Sequence, residues 1–210
     1  TRTPVIFLHG NNDTPFATAC NPVYGRMQAL AQYLADNGYK MVGIPDGLGA
    51  FREASTGDFT LLMNHELGAS AGVVRTHGST GAFVSRWTIN PSTLAVNSGR
   101  DHNQTSSDVN LWNSTTSTYD AGTTAYARFC SADLPAASAF KFGSLGTDSR
   151  IFMNGEETGS EGRAFAHIVT GASTNQSWQL PRLGRFSWEN SIASPFAQQK
   201  TVVVGTDDST

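Results

Sequence analysis

The sequence predicts a mainly β fold, a partial β-propeller-like assembly of several sheets that is preceded by a short strand-loop-helix segment. Two observations indicate this. From residue 40 onwards, short apolar runs alternate with turns made of Gly, Asn, Ser and Thr. Helical periodicity is confined to one stretch, between Gly25 and Asn37. We therefore expect two segments, residues 1–39 and residues 40–210.

Composition narrows the classes of function. Charged residues make up 15% of the 210 residues and glycine accounts for 21, a balance typical of a secreted or periplasmic β protein. The formal net charge is -3 and Lys and Arg form no cluster, so we expect no nucleic-acid partner. No stretch of 18 apolar residues predicts a membrane span.

Residues 1–39 predict a strand, a loop and a helix. The apolar run at residues 5–8 is typical of a buried strand, and His9-Gly10 begins the polar turn after it. Asn37 and the glycine that follows it form the expected C-terminal stop of the helix. The apolar face of that helix comprises Met27, Leu30, Ala31 and Leu34.

Residues 40–210 predict short antiparallel strands joined by turns. Residues 98–124 are poor in apolar side chains, so they predict a long loop with one short strand at residues 109–112. The other apolar runs that predict strands are residues 59–63, 83–89, 150–153, 164–169 and 200–205.

Three of these strands end in carboxylates. Glu66 follows the first of them, Glu156 and Glu157 follow another, and Asp207 and Asp208 follow the last. Strands packed side by side bring their ends together, which would suit a metal ion or an acid/base pair. Neighbouring residues of a strand point to opposite faces, which favours Glu157 over Glu156 for the site. The alternative is that polar residues simply form the turns after strands.

A serine hydrolase is a second hypothesis. Residues 68–72 match Gly-x-Ser-x-Gly around Ser70, and the order Ser70, Asp133 or Asp148, then His167 is that of an α/β-hydrolase triad. Residues 73–75, however, predict a strand where that motif requires a helix.

The first 39 residues resemble the N-terminal part of α/β-hydrolase lipases and extracellular polyhydroxyalkanoate depolymerases. The resemblance rests on residues 3–11, Thr-Pro-Val-Ile-Phe-Leu-His-Gly-Asn, and on the helix after them. It implies that His9 and Gly10 help to form an oxyanion hole.

Residues 38–210 resemble part of the PhoX-type secreted bacterial alkaline phosphatases, a β-propeller family. The resemblance rests on residues 61–66, Leu-Leu-Met-Asn-His-Glu, and residues 151–157, Ile-Phe-Met-Asn-Gly-Glu-Glu. It also rests on residues 184–189, Gly-Arg-Phe-Ser-Trp-Glu, and residues 202–208, Val-Val-Val-Gly-Thr-Asp-Asp. The Gly-Gly that follows the metal-binding cysteine of that family and its Thr-Pro-Trp-Gly segment are absent. The chain also stops where the family continues, so we expect a fragment or a chimera of two unlike pieces.

The second resemblance implies a metal-dependent hydrolase of small phosphate esters that uses calcium, with iron as a further cofactor. Its implied catalytic residues are Glu66, Glu157 and Glu189. Its implied metal ligands are Glu66, Cys130, Glu156, Glu157, Glu189, Asp207 and Asp208. For Cys130, a buried apolar thiol or a disulfide with Cys20 is the alternative to metal binding. A propeller module that binds without catalysis is the third hypothesis for the whole chain.

Overall fold

The computed structural model describes residues 44–209. Within this range the chain forms fourteen strands and four short 3-10 helices. In chain order the strands are β1 (Pro45–Arg52), β2 (Phe59–His65), β3 (Phe83–Ile89), β4 (Val96–Asp101), β5 (Val109–Asn113), β6 (Thr118–Ala121), β7 (Phe129–Asp133), β8 (Lys141–Phe142), β9 (Leu145–Gly146), β10 (Ile151–Glu156), β11 (Ala164–Ile168), β12 (Ser177–Gln179), β13 (Trp188–Ala193) and β14 (Val203–Asp207). The 3-10 helices are Ser106–Asp108, Ala137–Phe140, Gly159–Glu161 and Pro181–Leu183.

Strands β1 to β4 form an antiparallel sheet in which each strand pairs with the next one along the chain. β2 lies inside this sheet, and its Leu62 and Asn64 are fully buried. Pro45 of β1 lies opposite His65 of β2. The first residue of β1 and the last residue of β2 therefore lie side by side at one end of the strands.

The second large sheet has six strands in the order β6-β5-β12-β11-β10-β7. Its pairs are antiparallel except for β12 and β5, which run parallel, with Ser177 opposite Val109. β7 forms one edge of this sheet and also packs against β1 and β2 of the first sheet. The β13–β14 hairpin packs against β7 and β10.

One hydrophobic core joins the two large sheets. Leu62 of the first sheet belongs to the same cluster of buried side chains as Phe129, Phe152 and Phe165 of the second. The rings of Phe129 and Phe165 lie edge to face, with centroids 5.8 Å apart. Each buried phenylalanine contributes on the order of 2 kcal/mol through removal of apolar surface from water. This core fixes β7 against the first sheet.

Two glycines allow the close strand contacts that matter for the site. A Cβ atom added to Gly47 of β1 would lie 2.4 Å from the backbone nitrogen of Ala132 in β7. A Cβ atom added to Gly155 of β10 would lie 2.4 Å from Cβ of Trp188 in β13. Real Cβ atoms do not approach other atoms so closely, so glycine at these two positions lets β1 reach β7 and lets β13 reach β10.

The prediction of a mainly β fold is confirmed, and the apolar runs that predicted strands correspond to β2, β3, β5, β10, β11 and β14. Within residues 98–124 the predicted short strand is confirmed as β5, but the prediction that the rest is loop is wrong, because the end of β4, a 3-10 helix and β6 also lie there. β6 is exposed along its whole length and is held by backbone pairing with β5 and by Tyr119, whose ring packs edge to face against Trp112 and Trp178. Residues 73–75 do not form the predicted strand.

Several predictions concern residues outside the described range. These include the strand at residues 5–8, the helix after Gly25, the residues His9 and Gly10, and the possible disulfide partner Cys20. Neither a closed barrel nor a complete propeller occurs in the part of the chain that the structure describes. No helix among residues 44–209 is long and apolar enough to cross a membrane.

Candidate metal centre

Four segments of the chain bring carboxylates to the end of the first sheet at which β1 begins and β2 finishes. Glu66 directly follows β2, and its backbone N–H donates to the carbonyl of Ile44, just before β1, at 2.8 Å. Glu157 directly follows β10, whose edge partner is β7. Glu189 lies in β13, and Asp208 directly follows β14, the hairpin partner of β13. Strand pairing thus gathers side chains that are far apart in the sequence.

Two overlapping groups of side chains have the spacing that a cation requires. Ligand atoms of Glu66, Cys130 and Glu157 lie within 4.8 Å of one another, and so do those of Glu157, Glu189 and Asp208. Glu157 belongs to both groups. The carboxyl oxygens of a Ca²⁺ site lie at roughly 2.3–2.6 Å from the ion, so ligand atoms within such a span can share one cation.

The thiol of Cys130 lies inside the carboxylate cluster. Sγ donates to Oε2 of Glu189 at 3.2 Å and lies 3.7 Å from Oδ2 of Asp46. Burial raises the pKa of this thiol, and its hydrogen bond to Glu189 and the neighbouring carboxylates raise it further. The hydroxyl of Ser131 donates to the other oxygen of Glu189 at 3.2 Å and orients that carboxylate. In the absence of a cation, Cys130 is therefore a protonated thiol.

Arg128 is the cationic partner of the cluster. Its Nη2 donates to Oε1 of Glu66 at 2.9 Å and to Oε1 of Glu157 at 2.8 Å. The backbone of Arg128 has φ of 44°, in the left-handed region that residues with a Cβ rarely adopt. Burial raises the pKa of Glu157, and the charge of Arg128 opposes this rise.

Asp46 is a sixth member of the cluster. It lies in β1, and burial together with the charge of Glu66 raises its pKa to about 6. The charges of Glu189 and Glu157 act in the same direction, and the hydrogen bond from Cys130 opposes it. The neighbouring carboxylates repel the ionised form of Asp46, and a bound cation would offset this repulsion.

The sequence reasoning missed Asp46 and Arg128. Asp46 lies at the start of a strand, whereas the pattern that predicted the site consists of acidic residues at the ends of strands. Antiparallel pairing places the start of β1 beside the end of β2, so Asp46 and Glu66 reach the same edge. The signal available in the sequence was an acidic residue before a Gly-rich apolar run. Arg128 lies two residues before Cys130, and nothing in its local sequence distinguished it.

Two residues of the implied ligand set lie apart from the cluster. Glu156 points the opposite way from Glu157 and binds the guanidinium of Arg163 with both carboxyl oxygens, at 2.6 and 2.7 Å. It also accepts the backbone N–H of Ala127 at 3.1 Å. The carboxylate of Asp207 is exposed and accepts two hydrogen bonds from Ser209. The structure therefore brings Glu157 and Asp208 to the cluster rather than their preceding neighbours.

The residues of the serine-hydrolase hypothesis are not brought together. His167 is fully buried, and its ring nitrogens contact Oγ of Ser177 at 2.6 Å and Oδ1 of Asn154 at 2.9 Å. Ser70 lies in an exposed turn. Asp133 accepts the backbone N–H of Ala193 at 3.1 Å, and Asp148 pairs with Lys141 at 3.0 Å. His9 and Gly10 lie outside the described residues.

The donor set fits the two metals that the phosphatase resemblance implies. The carboxylates of Asp46, Glu66, Glu157, Glu189 and Asp208 are hard oxygen ligands of the kind that calcium binds. Cys130 carries a free thiol, and a thiolate suits a softer transition metal such as iron. Glu157, which belongs to both groups, is the residue through which two cations would share a ligand.

Comparison of the chain with protein-family models, with curated proteins and with solved structures finds no match.

Proposed function

We propose that this protein is a metal-dependent hydrolase of small phosphate esters. One observation carries the proposal: Glu66, Glu157, Glu189, Asp208, Asp46 and the thiol of Cys130 converge from separate strands onto one partly exposed edge. Bringing so many carboxylates together raises their electrostatic energy, and a multivalent cation is the usual compensation. Such sites are suited to a substrate that is itself negatively charged.

The residues of the cluster have separate roles in the proposed reaction. Bound calcium and iron supply positive charge that offsets the negative charge developing on the phosphoryl oxygens. Glu157 would be a ligand at both metal positions, Glu66 would be a ligand at one of them, and Glu189 would be a ligand at the other. Ser131 keeps the carboxylate of Glu189 oriented through its hydrogen bond. Cys130, whose side chain is buried, would offer its sulfur to the softer of the two metals.

Two wider features belong to the same proposal. The four-stranded antiparallel sheet of β1 to β4 has the strand order of a propeller blade, which supports a propeller-like architecture for the protein. The low content of charged residues and the abundance of Gly, Ser, Thr and Asn support a secreted or periplasmic location.

The proposal is tested by removing metal from the purified chain with a chelator and measuring hydrolysis of a phosphomonoester. We expect activity to be lost and to return when calcium and iron are added together. Activity that persists after complete removal of metal, as checked by elemental analysis, would contradict the mechanism.

The same assay separates the alternative hypotheses. The Ser70→Ala variant should retain full phosphomonoesterase activity, because Ser70 lies in an exposed turn and His167 is engaged by Ser177 and Asn154. Labelling of Ser70 by an organophosphate, with loss of ester hydrolysis, would instead support a serine hydrolase. Cation binding without any hydrolysis would support a binding module.

A further inference from the structure

Arg128 occupies the position between two carboxylates that a cation would need. Its Nη2 lies 2.9 Å from Oε1 of Glu66 and 2.8 Å from Oε1 of Glu157, and its Nε lies 3.1 Å from the same oxygen of Glu66. A Ca²⁺ ion bound by these carboxylates would take up the lone pairs that the guanidinium now uses. The guanidinium and the cation therefore compete for Glu66 and Glu157.

The backbone holds Arg128 in this position. Its N–H donates to the carbonyl of Leu67 at 2.8 Å, and its carbonyl accepts the N–H of Glu157 at 3.0 Å. These bonds tie Arg128 to the segments that carry the two carboxylates, and they maintain its left-handed φ of 44°. Backbone outliers of this kind persist where the surrounding structure enforces them, and they are concentrated at functional sites.

The side chain of Arg128, in contrast, has solvent on one side. It is 43% exposed, whereas the side chains of Glu66 and Glu157 are 11% and 8% exposed. Within residues 44–209, the ion pairs made by the carboxylates of the cluster all involve Arg128. One guanidinium balances only part of the charge of five carboxylates. A divalent cation at this position would therefore be stabilised more strongly by the carboxylates than the single positive charge of Arg128 is.

We propose that Arg128 is the counter-ion of the cation-free site and becomes the phosphate-binding residue once a cation displaces it. This inference rests on the proposed function, because it assigns a role to Arg128 at the same metal centre. A displaced guanidinium remains tethered beside Glu157 by its backbone hydrogen bonds and reaches the solvent-facing side of the cluster. Its planar pair of donors matches two oxygens of a phosphate group, which a lysine cannot reproduce.

The first test is the affinity for Ca²⁺ alone, measured by titration calorimetry on the metal-free full chain. Arg128→Gln should bind Ca²⁺ roughly tenfold more tightly than the wild type, since the cation no longer has to displace the three charge-assisted hydrogen bonds from Arg128 to Glu66 and Glu157. Arg185→Gln is the matched control, because Arg185 forms an exposed ion pair with Glu161 outside the cluster. Its Ca²⁺ affinity should equal that of the wild type.

The second test is the affinity of the Ca²⁺-loaded protein for inorganic phosphate. Arg128→Gln should lose roughly tenfold in affinity, and Arg128→Lys should recover only part of the loss, because lysine offers a point charge without the paired donors. Arg185→Gln should again behave like the wild type. Thermal melting of each metal-free variant checks that the fold is intact.

The outcomes distinguish this inference from the proposed function. Equal Ca²⁺ affinity in the wild type and Arg128→Gln would overturn the competition and leave a metal-dependent function standing. Tighter Ca²⁺ binding with unchanged phosphate affinity would overturn the phosphate-binding role. If neither protein binds Ca²⁺, both the inference and the calcium site are wrong. Ca²⁺ binding by Arg128→Gln but not by the wild type would support the inference, because it would mean that Arg128 keeps Ca²⁺ out of the site.

Discussion

Glu156 and Glu157 are consecutive residues whose carboxylates bind different arginines on opposite sides of the chain. Glu156 forms a two-oxygen ion pair with Arg163, and Glu157 contacts Arg128 in the candidate metal centre. The change of direction follows from the end of β10, because neighbouring residues of an extended chain point to opposite faces. The same substitution, Glu to Gln, is therefore expected to affect metal binding at Glu157 and stability at Glu156.

The first prediction compares these neighbours. Glu157→Gln should lower Ca²⁺ affinity at least tenfold, because Glu157 belongs to both ligand groups, and should change the free energy of unfolding little. Glu156→Gln should instead destabilise the protein by about 3 kcal/mol, because it leaves the guanidinium of Arg163 without its buried partner. Calorimetric titration and chemical denaturation measure the two effects. Loss of Ca²⁺ binding in folded Glu156→Gln alone would contradict the assignment.

The second prediction concerns the contact between β10 and β13. In Gly155→Ala the new Cβ would meet Cβ of Trp188, so β13 must shift and move Glu189 away from Glu157. We expect destabilisation of about 1–3 kcal/mol together with weaker Ca²⁺ binding. Gly122→Ala is the control, because no atom lies within 4 Å of its added Cβ. Equal stability and affinity in the two variants would show that this contact does not position Glu189.

The third prediction follows from the pKa of Asp46, which burial and Glu66 raise to about 6 from an ordinary value of 3.8. A raised pKa means that the charged carboxylate is less stable in the folded than in the unfolded protein. The cation-free protein therefore loses stability as the pH rises from about 4 to about 6. Asp46→Asn should raise the free energy of unfolding by about 1 kcal/mol at pH 7, and the gain should vanish below pH 4.

Asp120→Asn serves as the control for this experiment, because Asp120 is exposed in β6. Urea denaturation at several pH values in the presence of a chelator gives the measurement. The same Asp46→Asn variant should bind Ca²⁺ more weakly at pH 7, since it lacks one oxygen ligand of full charge. A gain in stability that is equal at pH 4 and pH 7 would be incompatible with the raised pKa.

The fourth prediction concerns acid sensitivity of the core. Burial lowers the pKa of His102 to about 3 from 6.5, so the folded protein holds this ring neutral while the unfolded chain protonates it. The associated stability is present above pH 6.5 and is lost as the pH falls towards 3, by at most about 1.4 kcal/mol per pH unit. His102→Gln should reduce this slope. Denaturation between pH 4 and pH 7 tests it, and an unchanged slope would count against a neutral buried His102.

Six of the fourteen described strands, β2, β3, β5, β10, β11 and β14, were predicted from the sequence. A strand that is buried on one or both faces contains apolar residues that can be recognised in the local sequence. Residues 59–63 in β2 and residues 164–169 in β11 are examples. β6 has no apolar alternation that predicts a strand, because it is exposed and is held by pairing with β5 and by the contacts of Tyr119 with Trp112 and Trp178. The parallel pairing of β5 with β12 could not be predicted from local sequence patterns either, because it joins segments that are far apart in the chain.

The sequence by itself determined that carboxylates end several apolar strands, and alternation along the chain favoured Glu157 over Glu156. Only the tertiary structure decided which of them meet, because convergence depends on sheet order and on the close approaches at Gly47 and Gly155. Asp46 and Arg128 entered the cluster for the same reason. Side-chain direction along a strand is a local property with a period of two residues, whereas proximity between strands is set by non-local pairing and packing.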